Sequence, residues 1–218
     1  MYLYRVGGDY AIARKIEDIL EYEAYLSCPK TLKKGRPYSF KEYFGYDKPD
    51  IPEEVRAKYE AKYITRYPAW DTDKVCPRKT IVEGVAYWRK ANEIHRWFVD
   101  NVQKGVDDCG TYKVTRKQLK TLLTLCKDIL SKAIIKEGLV KNGATYKNGK
   151  WSPNMEPGEF IANPEVCSAL PTSEGFFFGS TEYDQWYLRD IEYTVEAISS
   201  VLKNTDFREE SVYYHASW

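Results

Sequence analysis

The sequence is short of the residues that build common sites. Of 218 residues only two are histidine, His95 and His215, and only two are methionine. A zinc centre would have to collect ligands from distant segments, because no C-x-x-C or close His pair exists to nucleate one. No metal and no other cofactor is expected. The five cysteines (Cys28, Cys76, Cys109, Cys126, Cys167) are odd in number and widely spaced. That spacing predicts reduced thiols in a cytoplasm instead of a disulfide framework. Charge of one sign is also lacking: 33 Lys and Arg against 32 Asp and Glu leave a net charge of +1. Such a balance argues against a protein that coats duplex nucleic acid. No apolar run approaches the ~18–20 residues that cross a bilayer, so no membrane association is expected. The stretch Met1–Asp9 has no basic region followed by an apolar one, which predicts no signal peptide. No G-x-x-x-x-G-K-[ST] phosphate loop occurs.

Aromatic residues, by contrast, are abundant: 19 Tyr, 8 Phe and 6 Trp make 15% of the chain. Tyrosine dominates, so many rings carry a hydroxyl that needs a partner when buried. The structural reading is a Tyr-rich core; the functional reading is a stacking or recognition surface.

Residues 1–6 read as a short strand, and Gly7-Gly8 ends it. Asp9 caps a helix to about Leu26, with Ile12, Ile16, Ile19 and Leu20 near one face. A loop follows, holding a short helix at Phe40–Phe44, and another helix begins at the Pro- and acid-rich Asp50–Glu54. Apolar rows at Ile81, Val85, Trp88 and Val99, and at Tyr87, Ala91, Ile94 and Phe98, predict a helix over 81–103 that ends at Lys104-Gly105. Thr115 and Gln118 form a capping box for a helix over 116–132. Asn148-Gly149 between Tyr146 and Trp151 signals a hairpin, and Pro153, Pro157 and Pro164 then predict a loop. Ser180 or Thr181 caps a last helix, about 182–203, with Tyr187, Ile191, Thr194 or Val195, Ile198 and Leu202 inside. The end, 212–218, reads as an edge strand or docked tail. The expected fold is mainly α (α+β): a bundle of three or four long helices with small β-hairpin decorations. It would be a single domain over 1–218, with 138–168 as an inserted hairpin and loop.

Four places could carry chemistry. On the helix expected at 81–103, Asn92 and His95 continue the row of Trp88, flanked by Arg89 and Arg96. Burying them unpaired costs about 1–3 kcal/mol each, so they need partners. They form either an internal network or the polar floor of a pocket. Gly179-Ser180-Thr181, opening a helix, reads as a plain cap or as an anion site. Asp107 and Asp108 suit salt bridging or capping, or else acid–base work. Tyr183, Trp186, Asp190 and Tyr193, with Arg189 beside them, form a row outside the inner face of the last helix. That row is a contact surface or a second buried side.

Three strings carry a family resemblance. They are Val85–Phe98 (VAYWRKANEIHRWF), Gly105–Cys109 (GVDDC) and Leu170–Asp184 (LPTSEGFFFGSTEYD), with the closing Ser217-Trp218. Together they resemble a family of small tailed-phage and prophage accessory proteins, over residues 81–132 and 170–218. The resemblance implies a phage protein acting in the cytoplasm of an infected bacterium. By class analogy it suggests anti-defence work, such as sequestering a nucleotide signal. Arg89 and His95, with five residues between them, are also similar to the Arg…His motif of HEPN-type helical ribonucleases. That likeness implies metal-independent cleavage, with His95 as acid or base and Arg89 stabilising charge. Lys90 departs from that pattern, and six helical steps turn the side chains about 240° apart.

These readings converge on a non-enzymatic binder of a phosphate-bearing small ligand or of a host bacterial protein. Its site would comprise Tyr87, Trp88, Arg89, Asn92, His95, Arg96, Asp107, Asp108, Gly179, Ser180, Thr181, Tyr183 and Trp186. Rings would stack, arginines would meet phosphate, and Asn92 with His95 would read polar edges. The ribonuclease and a pure protein-interaction module are the alternatives. The oligomeric state is left open.

Overall fold

The computed structural model describes residues 1–28, 39–61, 64–66, 78–175 and 179–217. Among them it has six α-helices and eight strands. In chain order the elements are β1 (Tyr2–Val6), α1 (Tyr10–Ser27), α2 (Phe40–Phe44), α3 (Glu53–Glu60), β2 (Ile64–Arg66), β3 (Arg78–Thr80), β4 (Glu83–Tyr87), α4 (Asn92–Asn101), β5 (Thr111–Val114), α5 (Arg116–Lys132), β6 (Ile135–Lys147), β7 (Lys150–Ile161), α6 (Gln185–Asn204) and β8 (Ser211–His215). A four-stranded sheet has the order β4-β1-β8-β5, while β2-β3 and β6-β7 are two-stranded antiparallel ribbons. This is an α+β fold, and it corrects the expectation of a bundle of three or four long helices.

The chain divides into two compact units. One holds Tyr4–Gly84 and Asp206–Val212. There Asp9 caps α1, accepting the Ile12 amide at 2.9 Å, and Ala13, Ile16, Ile19 and Leu20 are buried. Glu17 lies on the same face and is also buried. Its Oε1 accepts the amides of Ile81 and Val82 at 2.6 and 2.7 Å, and Arg14 donates to its other oxygen at 2.5 Å. Rings of Tyr22, Phe40, Phe44 and Tyr46 cluster between α1 and α2. Cys28 is disulfide-bonded, which corrects the expectation of reduced thiols throughout; Cys109, Cys126 and Cys167 are free. The expected loop around Pro29–Pro37 and the residues around Pro68, Cys76 and Pro77 lie outside the described residues.

The other unit holds Met1–Leu3, Val85–Thr205 and Tyr213–Trp218. Its core includes Trp88, Phe98 and Tyr214, and the last two stack with centroids 4.0 Å apart. Helix α5 starts with the expected capping box of Thr115 and Gln118 and buries Leu119, Leu122, Cys126 and Ile129. It packs on α6, whose buried face is Tyr187, Leu188, Ile191, Thr194, Ala197, Ile198 and Val201.

The expected helix over 81–103 is instead a strand, a turn and a shorter helix. Residues Glu83–Tyr87 pair as β4 in the four-stranded sheet, and Glu17 takes the Ile81 and Val82 amides just ahead of it. Trp88 N–H donates to Met1 O at 3.0 Å, and the Met1 ammonium donates back to Trp88 O at 3.0 Å. Lys90 sits at φ 66°, a left-handed conformation that no continuing helix tolerates. The chain therefore turns before α4 begins at Asn92.

The hairpin turn at Asn148 (φ 51°) and Gly149 (φ 77°) is as expected, but its arms are far longer. They pair from Ile135↔Ile161 to Lys147↔Lys150, with a register shift between Lys141 and Ala144. Pro153 and Pro157, read as loop residues, lie within β7. A two-stranded ribbon has two free edges, so a residue without an N–H can sit where no ladder bond is required.

Candidate functional site

A cleft of about 840 Å³ opens in the second unit. Four pieces of chain build it. The turn into α4 supplies Arg89 and Lys90, and α4 itself supplies Asn92 and Glu93. The irregular point of the β6-β7 ribbon supplies Lys141, Asn142 and Gly143. The segments before α6 add Glu174, Gly175 and Gly179–Glu182, and α6 adds Trp186, Tyr187, Arg189 and Asp190.

Asn92 holds this wall together. Its Oδ1 accepts the Ser173 amide at 2.6 Å, and its Nδ2 donates to Ser180 O at 3.0 Å. Gly179 N–H donates to Lys90 O at 3.3 Å. A Cβ on Gly179 would stand 3.2 Å from that carbonyl, so the approach suits glycine. Ser180 Oγ accepts the Glu182 amide at 3.0 Å, which leaves its O–H to donate.

The cleft has an acidic floor and a largely basic rim. Glu93 is 2% exposed, and its Oε1 meets no hydrogen-bond partner. Burial, and then the charges of Asp190 and Asp184, push its carboxyl up to about 8. Asp190 is pushed to about 7 by burial and by Asp184. Among the described residues, Arg89, Lys90, Lys141 and Arg189 make no ion pair. The Arg189 guanidinium lies 4.9 Å over the Trp186 ring. Glu174 and Glu182 put acidic charge on the same rim.

Of the expected site residues, the cleft gathers Arg89, Asn92, Gly179, Ser180, Thr181 and Trp186. The others have structural employment. Trp88 is buried, and its Nε1 donates to Thr194 Oγ1 at 2.8 Å. Tyr87 is exposed; its ring packs on Tyr2, and its amide donates to the Tyr193 hydroxyl at 3.1 Å. His95 is buried, with Nδ1 2.7 Å from the Tyr214 hydroxyl and Nε2 3.0 Å from Asp107 Oδ1. Arg96 pairs with Asp100 one turn along α4 at 2.9 Å. Asp108 accepts the Gly110 amide at 2.7 Å and the Tyr112 hydroxyl at 2.8 Å. Tyr183 packs edge-on against Tyr187 and lines a neighbouring depression with Leu139, Trp151 and Met155.

Two expectations are corrected. Arg89 precedes α4 and His95 lies within it, with both imidazole nitrogens engaged, so they do not share a helical Arg…His site. The cap of α6 is Asp184, whose Oδ1 accepts the Trp186 and Tyr187 amides at 2.8 and 3.4 Å. Gly179, Ser180 and Thr181 therefore lie ahead of the helix and not at its N-terminus.

Sequence reasoning missed Lys90, Glu93 and Lys141–Gly143. Glu93 adjoins Asn92, and an acid inside an apolar helix pattern is the signal that would have exposed it. The three ribbon residues carry no local signal, because only the pairing of β6 with β7 brings them to α4. Compared with family models, curated proteins and solved structures, the chain has no significant match in any of the three.

Proposed function

We propose that the chain binds a phosphate-bearing small molecule in this cleft and does not transform it. One observation carries the reading: four cationic side chains line a single cleft and, among the described residues, make no ion pair. Such groups meet an anion without first breaking ion pairs, and arginine's fork matches phosphate oxygens. The size fits a nucleotide-sized ligand. Beside the cations stand the Ser180 hydroxyl and the Trp186 ring, which supply a polar contact and a stacking face. With His95 enclosed, no imidazole is on hand for acid–base work, which favours binder over ribonuclease. The three strings, and the phage accessory family they resemble, make a nucleotide signal of an infected bacterium the candidate ligand. The cytoplasm proposed with it draws on the three free thiols; the Cys28 disulfide weighs the other way.

The test is a thermal-shift series with pyrophosphate and with linear and cyclic nucleotides. A ligand at 100 times its Kd stabilises the fold by about 2.7 kcal/mol. Arg89→Ala and Arg189→Ala should each weaken binding by about tenfold or more, and the ligand should be recovered unchanged after hours. No shift with any phosphate compound overturns the reading.

A protein partner is the second reading. It is favoured by Leu139, Tyr146, Trp151 and Met155, all exposed on the β6-β7 ribbon. A hairpin exposing this much apolar surface fits a contact site. Trp151→Ala would abolish capture of such a partner and leave nucleotide shifts intact.

A further inference from the structure

We infer that the Glu93–Asp190 floor reads the N–H donors of a nucleobase, so that the cleft selects guanine nucleotides over adenine nucleotides. The inference rests on the phosphate-binding reading above and adds the identity of the base.

The starting point is Glu93 Oε1, a buried carboxylate oxygen which, with Gln103 Oε1, Ser173 Oγ, Asp184 Oδ2 and Thr205 Oγ1, is one of five buried side-chain polar atoms without a hydrogen-bond partner among the described residues. A buried acceptor left empty is costly, and retaining one at the floor of a cleft points to a donor from outside. Carboxylates accept only, and their two oxygens match two adjacent N–H groups. Guanine presents such a pair, N1–H beside the exocyclic amine. Adenine presents a ring acceptor at the same place, which would face the carboxylate lone pairs. The Arg189 guanidinium covers one face of the Trp186 ring, and the half-exposed ring leaves its other face for a base to stack on. The basic rim then takes the phosphate at the other end.

A metal is the competing occupant of any acidic floor. Among the described residues, no group of three or more His, Cys, Asp or Glu side chains is placed to hold an ion.

The surroundings of Glu93 predict a proton signature. From α6 it faces Asp184, Asp190 and Tyr187, and from α5 it faces Cys126. The cations Arg89, Lys90, Arg189 and Lys141 and the acids Glu174 and Glu182 line the same cleft. With its carboxyl held up to about 8, Glu93 carries a proton in the empty cleft at neutral pH. Accepting two N–H donors requires the carboxylate, so guanine binding should expel that proton to solvent, and affinity should rise with pH to about 8.

Calorimetric titrations at pH 7.5 with GMP, IMP and AMP test this, on the wild type and on Glu93→Gln, Asp190→Asn and Arg89→Ala. IMP keeps the N1–H and lacks the amine. The expected order is GMP, then IMP, then AMP, with about tenfold or more between GMP and AMP. GMP binding heats should differ between Tris and HEPES by the ionisation of about three-quarters of a proton, the share that Glu93 still carries at pH 7.5, and AMP heats should not. Glu93→Gln should erase the preference from both sides, lowering GMP affinity and raising AMP affinity, because its amide N–H can donate to adenine's ring acceptor. Asp190→Asn should lower the preference, and Arg89→Ala should weaken all three nucleotides alike. Equal wild-type affinity for GMP and AMP overturns the inference and leaves the phosphate reading standing. Loss of GMP binding in EDTA also overturns it, because the acids would then be holding a cation. No binding of any of the three, or of pyrophosphate, overturns both readings.

Discussion

At the scale of single residues, buried polar atoms decide which side chains are structural. Thr194 shows the logic. It is fully buried, its Oγ1 donates to Asp190 O at 2.6 Å, and it accepts the Trp88 indole at 2.8 Å. Valine has nearly the same shape and no hydroxyl. Thr194→Val should therefore leave the indole N–H unpaired and cost about 1–3 kcal/mol in urea unfolding, while Thr194→Ser should recover most of it. A Thr194→Val midpoint equal to the wild type would mean that the indole finds another acceptor. The same rule explains a misplaced residue. His95 falls on an apolar row in sequence, which signals only that it needs partners. That the partners are Tyr214 and Asp107, from distant chain positions, is a fact of tertiary pairing that no local pattern encodes.

At the scale of elements, local signals succeeded where capping chemistry and spacing act within a few residues. Asp9 before α1, Thr115 with Gln118 before α5, and Asn148-Gly149 in the ribbon each stand where the sequence puts them. The failure at 81–103 has the opposite cause. Strand and helix both bury Ala86 and Trp88, so periodicity over such a short apolar run does not separate them. The pairing of β4 with β1, a strand far away in sequence, and the left-handed turn at Lys90 settle the matter. The strap at the start of α4 allows a direct test. Asn92 uses both ends of its amide to hold Ser173 and Ser180. Asn92→Ala should free these segments, speed hydrogen exchange of the Ser173 amide, and weaken phosphate binding by loosening the wall that carries Gly179–Thr181. Unchanged exchange at Ser173 would show that other contacts hold the wall.

At the scale of the whole molecule, the near-neutral net charge of +1 leaves single buried acids to set the pH response. The cleft is lined by four cations and four acids, and burial holds two of those acids, Glu93 and Asp190, above their ordinary values. This arrangement makes stability depend on pH with a defined sign. Glu93 titrates near 8 in the folded chain against an ordinary 4.5, and Asp190 near 7 against 3.8. Between those limits the folded state keeps protons that the unfolded chain releases, so the slope of stability with pH is negative. The contribution is complete below about pH 4 and has gone once the pH passes about 8. Melting temperature should accordingly fall from about pH 5 to pH 8 and level off above. If the two compact units melt separately, the pH-dependent transition belongs to the one that contains Val85–Thr205. Glu93→Gln removes the charge and nearly keeps the shape. It should match the wild type near pH 4.5, melt higher at pH 8, and show a shallower slope between, with each 1 kcal/mol worth about 2–4 °C in a chain of this length. An unchanged slope would assign the pH dependence to other groups and remove Glu93 as the proton carrier.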